Sequence, residues 1–350
     1  MTTPTRPAPQ GARHNVTIND VAQAAGVGRQ TVSNVLNGSG RVGAAARARV
    51  LSAVDELGYQ PHHGARSLRS RRTMQLAYLM PEIQLQPSNL IMMQFLQSLV
   101  AAGARRHYRV VIVAGQTDPG GEIRRLVASR SVDGFVLTGL PPGDARAELV
   151  AELGVPFACF GRTRAGLPQH WADIDNAAAE AAAVQHVLSQ GYTRPGYVGY
   201  ASGSYWDIER EDGFRSGLAS RGIPGEGAGL LRLGDDGGDD AARARIRAFL
   251  SAVRPDAVLT SSDKIAAMVY GVAAEVGLRV GADLAVAGFD GSIGAGLLHP
   301  QLTSVLIPVD EIAARLVDRL LRQVEHGPDD GPGEFIPAPL RTAGSTAPRS

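Results

Sequence analysis

The sequence predicts an α/β protein in two parts, a small all-α head and a large core of two lobes built on parallel sheets. Three observations carry this. Apolar residues recur at helical spacing between residues 17 and 58. From residue 74 onward, short apolar runs alternate with amphipathic helical stretches. The charge is divided as well. The chain holds 35 Lys and Arg against 34 Asp and Glu, and residues 1–72 take ten of the former (all Arg) against Asp20, Asp55 and Glu56, a balance of +7. The remaining 25 basic and 31 acidic residues leave the core at −6. A basic head on an acidic body suggests a head that meets a polyanion, although a basic stretch can also be a solvated tail.

In a chain of 350 residues, 44% hydrophobic and 20% charged residues exclude wholesale disorder and predict two or three domains. Cys159 is the only cysteine, which excludes a disulfide framework and a Cys-based zinc cluster. No run reaches the ~20 apolar residues of a membrane helix. The first fifteen residues show no apolar signal core, so the expected compartment is the cytoplasm. Residues 1–15 read as a disordered leader. In the head, Ile18, Val21, Ala22 and Ala25 repeat at helical spacing, as do Val32, Val35 and Leu36, and then Val50, Val54 and Leu57. Thr17 and Asp20 have capping-box spacing, Gly58 stands at a C′ position, and Pro61 blocks simple continuation.

In the core, strands are expected at 75–80, 110–114, 134–138, 156–160, 196–200, 257–260 and 284–289, with helices at 90–106, 121–130, 176–190, 206–221, 239–252 and 263–277. Such alternation implies βαβ units, and the length from 74 to 342 favours two lobes with a ligand crevice where strand ends face each other. The expected boundaries are 16–60 for the head, 61–73 for a linker, and 74–342 for the core, followed by a tail at 343–350. The first lobe takes about 74–173 plus 308–325, the second about 174–307 plus 328–342. A strand-like piece is expected at 335–340. No apolar heptad runs through 327–350, which argues against a coiled-coil tetramer.

Ala25-Gly26-Val27 reads as a tight turn between two short helices, a helix-turn-helix in which Ala22 and Val27 pack between the helices while Arg29, Gln30 and Asn34 face outward. Gln and Asn pair bidentately with adenine and Arg with guanine in the major groove, whereas Thr31 and Ser33 reach phosphates more naturally. The bland alternative is a helical hairpin with a solvated polar face. Thr17 completes the residues of the head expected at DNA.

The stretches Val16-Thr17-Ile18-Asn19-Asp20-Val21-Ala22, Ala25-Gly26-Val27 and Thr31-Val32-Ser33-Asn34-Val35-Leu36-Asn37 resemble the head of the LacI/GalR family of bacterial repressors. So do Arg47, Val50, Ala53, Leu57-Gly58-Tyr59, Pro61 and Ala65-Arg66-Ser67-Leu68. The core keeps the resemblance at Val132-Asp133-Gly134, Asp175-Asn176, Arg210-Glu211-Asp212-Gly213-Phe214, Ser262-Asp263, Gly288-Phe289-Asp290 and Leu302-Thr303-Ser304-Val305. It implies a core like the periplasmic sugar-binding fold and a hinge helix at about 62–69. From that helix, Leu68 of each subunit of a homodimer wedges into the minor groove beside Ala65 and Arg66. Gly28 stands where the family usually has a capping Ser, and His62 where it usually has Asn.

For the core, the resemblance implies a sugar pocket with Arg210 and Asp290 as principal polar groups, Ser262 in place of a frequent Asn, and Asn89 at the first lobe's edge. Arg162, just after a strand, and Trp206, at the mouth of the Arg210 helix, complete the candidates. Each has a plainer reading: a surface charge for Arg210, a turn cap for Asp290, a helix N-cap for Ser262. No HExxH, Walker A or GxSxG motif appears, and Asp235, Asp236, Asp239 and Asp240 read as a solvated acidic loop rather than a Ca²⁺ site. No cofactor or metal is expected. The resulting expectation is a homodimeric repressor bound to a pseudopalindromic double-stranded DNA operator and released by a small effector, a sugar or sugar derivative. A corepressor, a sugar receptor without a DNA role, and an enzyme on an α/β scaffold are the alternatives.

Overall fold

The computed structural model describes residues 16–36, 42–59, 72–80, 89–114, 118–163, 170–224, 229–234, 238–327, 331 and 333–349. They divide into two compact units, Met1–Thr73 and Met74–Ser350. In the first, helices α1 (Ile18–Ala25), α2 (Arg29–Leu36) and α3 (Ala44–Glu56) enclose Val21, Ala22, Ala25, Val32, Val35, Val50, Ala53 and Tyr59. The capping box is present: the Thr17 N–H donates to the Asp20 carboxylate at 2.7 Å, and the Asp20 N–H donates to the Thr17 hydroxyl at 3.4 Å. Gly26 closes α1 in the left-handed region at φ 61°, where only glycine is free of strain. From α3, the Arg49 side chain donates to the Ala25 carbonyl at 3.0 Å, satisfying an orphan acceptor at the end of α1. The carbonyl of Gly28 takes the N–H groups of Thr31 and Val32, so α2 opens there without a side-chain cap.

The second unit runs β1 (Gln75–Met80), α4 (Leu90–Arg105), β2 (Arg109–Ala114), α5 (Pro119–Ala128), β3 (Gly134–Thr138), α6 (Ala145–Glu152), β4 (Phe157–Phe160) and β5 (His170–Asp173). It continues through α7 (Asn176–Ser189), β6 (Pro195–Tyr200), α8 (Tyr205–Ala219), β7 (Leu230–Leu233), α9 (Gly238–Val253), β8 (Ala257–Thr260), α10 (Asp263–Glu275) and β9 (Ala285–Asp290). It ends with β10 (Thr303–Leu306), α11 (Val309–His326), β11 (Glu334–Phe335) and β12 (Leu340–Arg341). Two six-stranded sheets result, ordered β11-β5-β4-β3-β1-β2 and β12-β10-β9-β8-β6-β7. Every pairing is parallel except that of β10 with β12. The strands are nearly continuous apolar runs because helices cover both faces; β3 and β8 are buried at every position.

The chain crosses between lobes after β5, after β10 and between β11 and β12. Here the structure corrects two expected boundaries. Residues 328–342 are expected in the second lobe, yet β11 pairs with Ala172 and Asp173 of the first sheet, and only β12 joins the second. The strand expected at 335–340 is broken because Pro337 and Pro339 lack the N–H that a ladder needs. Nor is 343–350 a loose tail over its described length. The Ser345 hydroxyl donates to the Val286 carbonyl at 2.6 Å, and Arg349 pairs with buried Asp256. Helices α6 and α11 and strands β5, β7 and β10 add to the elements expected. The strands are four-residue segments whose partners set their register, and His170-Trp171-Ala172-Asp173 carries no alternating pattern of its own.

Helices α7 and α8 pack closely in the second lobe. A Cβ on Gly213 would stand 2.4 Å from the Ala177 carbonyl oxygen and 2.9 Å from the Glu180 Cβ, and one on Gly217 2.8 Å from the Val184 Cβ. Two glycines four apart thus let one backbone lie on the other. Gly213→Ala is expected to cost about 1–3 kcal/mol by overpacking, read from the core's midpoint in urea; an unchanged midpoint contradicts the contact.

Candidate functional site

In the head, Arg29 and Gln30 are exposed and Thr31, Ser33 and Asn34 half-buried along one helix, α2. The Gln30 side-chain amide donates to the Asn34 Oδ1 at 3.0 Å, an i,i+4 pair that holds both amides on the outward face. Thr17 is exposed, but its hydroxyl and N–H serve the α1 cap. Ala65, Arg66 and Leu68 lie outside the described residues.

In the core, Arg210 sits in the first turns of α8 and is 5% exposed. Its Nε donates to the Asn176 Oδ1 at 2.9 Å, and its Nη1 to the Ser261 carbonyl at 2.6 Å and the Asp290 Oδ1 at 3.4 Å. The guanidinium carbon lies 3.7 Å from the centroid of the Phe289 ring and 4.7 Å from that of Trp206. Asp290 ends β9 at φ 119°, a strained backbone for a residue with a Cβ. Burial pushes its carboxyl up while Arg210 pulls it down. The loop beyond β9 is tied down by Asp263, which accepts from the Ser292 N–H and hydroxyl at 2.7 and 2.8 Å and from the Ser304 hydroxyl at 2.6 Å. Asp207 does the same for the loop before Trp206, accepting from the Tyr200 and Ser202 N–H groups at 3.3 and 3.1 Å.

Arg162, from the first lobe, joins this arrangement from across the cleft. Its Nη2 lies 2.5 Å from the Glu209 Oε1 and its Nε 3.4 Å from the Asp173 Oδ2, while its guanidinium faces the rings of Trp171 at 5.2 Å and Phe335 at 4.8 Å. Glu209 in turn accepts from the Asn176 Nδ2 at 3.5 Å. Burial pushes the Asp173 carboxyl up to about 6 against the Ile174 N–H and Arg162. The structure therefore brings Arg162, Trp206, Arg210 and Asp290 into one network. It does not do so for two other candidates. Asn89 caps α4, accepting from the Met92 N–H at 3.4 Å. Ser262 caps α10, accepting from the Ile265 N–H at 3.2 Å, and donates to the Tyr200 hydroxyl at 3.2 Å.

Sequence reasoning missed Asn176, Glu209, Asp173 and Ser261 as members of the network. Glu209 carried a usable signal, a carboxylate directly before the key arginine. Ser261 carried none, because it contributes a main-chain carbonyl. Beneath the network, Glu180 on α7 is fully buried with an Oε1 that has no hydrogen-bond partner among the described residues, and burial pushes its carboxyl up to about 8. Among the described residues no group of His, Cys, Asp and Glu is arranged to hold a metal ion, and no helix is long and apolar enough to cross a membrane. Asp239 pairs with Lys264 at 3.0 Å, and burial pushes the Cys159 thiol far above its usual range.

A helix-turn-helix unit joined to a two-lobed core with a buried arginine in its cleft is the build of a DNA-binding regulator with a sensing core. A sequence profile described as bacterial regulatory proteins, lacI family, matches residues 17–62, and one for a periplasmic binding protein-like domain matches residues 184–346. The HTH-type transcriptional regulator CelR of Thermobifida fusca is 33% identical over 322 residues, 88% of this chain and 93% of its own. Catabolite control protein A of Staphylococcus xylosus is 28% identical over 95% of this chain and 99% of its own. The solved complex of transcriptional regulator CelR with cellobiose has a TM-score of 0.70 at 28% identity, covering 94% of this chain and 99% of that one. The lac repressor dimer bound to operator and the anti-inducer ONPF has a TM-score of 0.80 at 22% identity over 95% of this chain and 99% of that one, a likeness of fold. The chain belongs to the LacI family of bacterial regulatory proteins and is a transcriptional regulator rather than an enzyme.

Glu180 yields a signed pH dependence. Its carboxyl is raised from the usual 4.5 to about 8, so between these values the folded chain holds a proton that the unfolded chain has released. Its contribution to stability therefore declines as pH rises through that window. Glu180→Gln is expected to stabilise the core at pH 8 by on the order of 4 kcal/mol and to have little effect near pH 4.5. Thermal unfolding of both proteins at the two pH values reads this, and an equal difference at both would remove the buried proton from the account.

Proposed function

We propose that the protein is a homodimeric, cytoplasmic repressor whose operator affinity falls when a sugar or sugar derivative binds the core. The observation that carries the effector half is Arg210: a nearly buried guanidinium, oriented by Asn176, Asp290 and the Ser261 carbonyl, whose Nη2 has no hydrogen-bond partner among the described residues. A planar donor beside a carboxyl suits vicinal hydroxyls, and Trp206 supplies an apolar face for a ring. The relative CelR was solved with cellobiose, which makes cellobiose the first sugar to try. On this reading Arg210, Asp290, Trp206 and Arg162 meet the effector, while Asn89 and Ser262 shape the rim through their caps. Arg29, Gln30 and Asn34 read bases, and Thr17, Thr31 and Ser33 reach phosphates. From the linker, Ala65, Arg66 and Leu68 enter the minor groove.

Binding of the full-length protein to DNA from upstream of its own gene, with and without a sugar panel and at two salt concentrations, tests the whole reading. Selective binding released by one sugar is expected, and absence of selective binding under every condition rejects it. Arg29→Ala or Gln30→Ala is expected to lose about 1–3 kcal/mol of discrimination at one base position, measured against single-base operator variants. Arg210→Ala is expected to weaken sugar binding at least about thirtyfold, since a buried charge-assisted donor is lost; calorimetry showing wild-type affinity takes Arg210 out of the pocket.

A further inference from the structure

Glu209 stands between the two arginines of the cleft. Resting on the reading of that cleft as the effector site, we propose that Glu209 sets the charge class of the effector: by neutralising Arg162 across the lobes it restricts the site to uncharged saccharides and excludes sugar acids and sugar phosphates. One of its oxygens lies 2.5 Å from the Arg162 Nη2 and the other 3.5 Å from the Asn176 Nδ2, and Asn176 accepts from the Arg210 Nε at 2.9 Å. A single carboxylate thus occupies the path between two guanidinium groups, one from each lobe. Without it, two planar forks would share one cleft, the arrangement that clamps a carboxylate or a phosphate.

The pairing is fixed rather than incidental. Arg162 lies against the contacting Trp171 and Phe335 rings and is held by Asp173 at 3.4 Å as well as by Glu209, so it meets two carboxylates. Side-chain exposures of 25% for Arg162 and 22% for Glu209 place the pair where salt screens it less than at an open surface. Arg210 lies 3.4 Å from Asp290, whose carboxyl burial pushes up to about 8. Arg162, with Glu209 and Asp173 both against it, is the guanidinium whose charge is met at the cleft. An anionic ligand would have to displace Glu209 from Arg162 and then lie beside it, whereas a hydroxyl can donate to Glu209 and accept from the Arg210 Nη2 without disturbing either pair.

The test uses the full-length protein with glucose and cellobiose and their charged counterparts glucuronate, glucose 6-phosphate and cellobionate, by thermal shift and calorimetry. For wild type, the neutral member of a pair is expected to bind at least about tenfold tighter than its anionic partner. E209Q is expected to reduce that ratio at least about tenfold, and R162M, which leaves the Glu209 charge unmatched, to widen it. These opposite shifts of one ratio distinguish charge selection from a general loss of structure, and R162M decides alone should E209Q fail to fold. An anionic sugar as the tightest wild-type ligand, or a ratio unmoved by either variant, overturns the role of Glu209 while leaving the effector reading standing. Silence of the whole panel overturns the sugar reading and the role of Glu209 with it.

Discussion

Burial of the Arg210 guanidinium is the constraint from which the cleft follows. Taking a charge out of water costs several kcal/mol unless its donors are met. The acceptors come from residues 34, 51 and 80 positions away: Asn176 at the start of α7, the Ser261 carbonyl in the turn after β8, and Asp290 at the end of β9. Only the carboxyl edge of a parallel sheet, where strands end and helices begin, gathers such segments at one point. The Phe289 ring beneath the guanidinium and the strained backbone of Asp290 belong to the same requirement. The strain persists because Gly291 and the Asp263–Ser292–Ser304 bonds fix the chain immediately beyond it.

The same residues tie the cleft to the segments that join the lobes. Each crossing carries a buried isoleucine, Ile174, Ile307 and Ile336. The Ile336 N–H donates to the Asp173 carbonyl at 2.7 Å and the Ile307 N–H to the Asp290 carbonyl at 3.1 Å. Asp173 and Asp290, whose carboxyls face Arg162 and Arg210, therefore also anchor the crossings through their backbones. Across the cleft itself, two polar contacts are the Arg162–Glu209 pair and the Ile293 N–H to the Gln94 Oε1 at 3.3 Å, and the Leu90 side chain lies beside Gly294. The crossings are thus held by buried apolar groups of a core cluster that continues into both lobes, while the Arg162–Glu209 ion pair bridges the mouth.

Much of this was legible in the sequence because it is periodic or local. The α1 capping box, the Gly26 turn, the outward face of α2 and the parallel strands each follow from a few neighbouring residues. Arg210 and Asp290 were found by family resemblance, and the geometry explains why they belong together. Pairings between segments distant in sequence were not legible. Nothing in Glu334–Phe335 announces that β11 pairs with β5 of the first sheet while β12, five residues later, joins the second. Ser262 illustrates the converse: it drew attention through its motif, whereas its neighbour Ser261 reaches Arg210 through a backbone carbonyl that any residue possesses. Glu209 precedes Arg210 in the sequence, but its pairing with Arg162 of the other lobe is a contact between distant segments.

That dependence on both lobes bears on regulation. A ligand with equal affinity for two conformations changes nothing, however tightly it binds. On the proposed reading, a sugar held by Arg210 and Asp290 alone would touch only the second lobe and carry no information about closure. Glu209 and Arg162 come from different lobes, so on that reading a hydroxyl that engages Glu209 senses whether its partner is in place. The preference for one conformation then arises at the interlobe pair, while the buried arginine supplies affinity. On that reading the carboxylate that neutralises Arg162 also makes binding depend on the lobe arrangement, and specificity and response become properties of one contact.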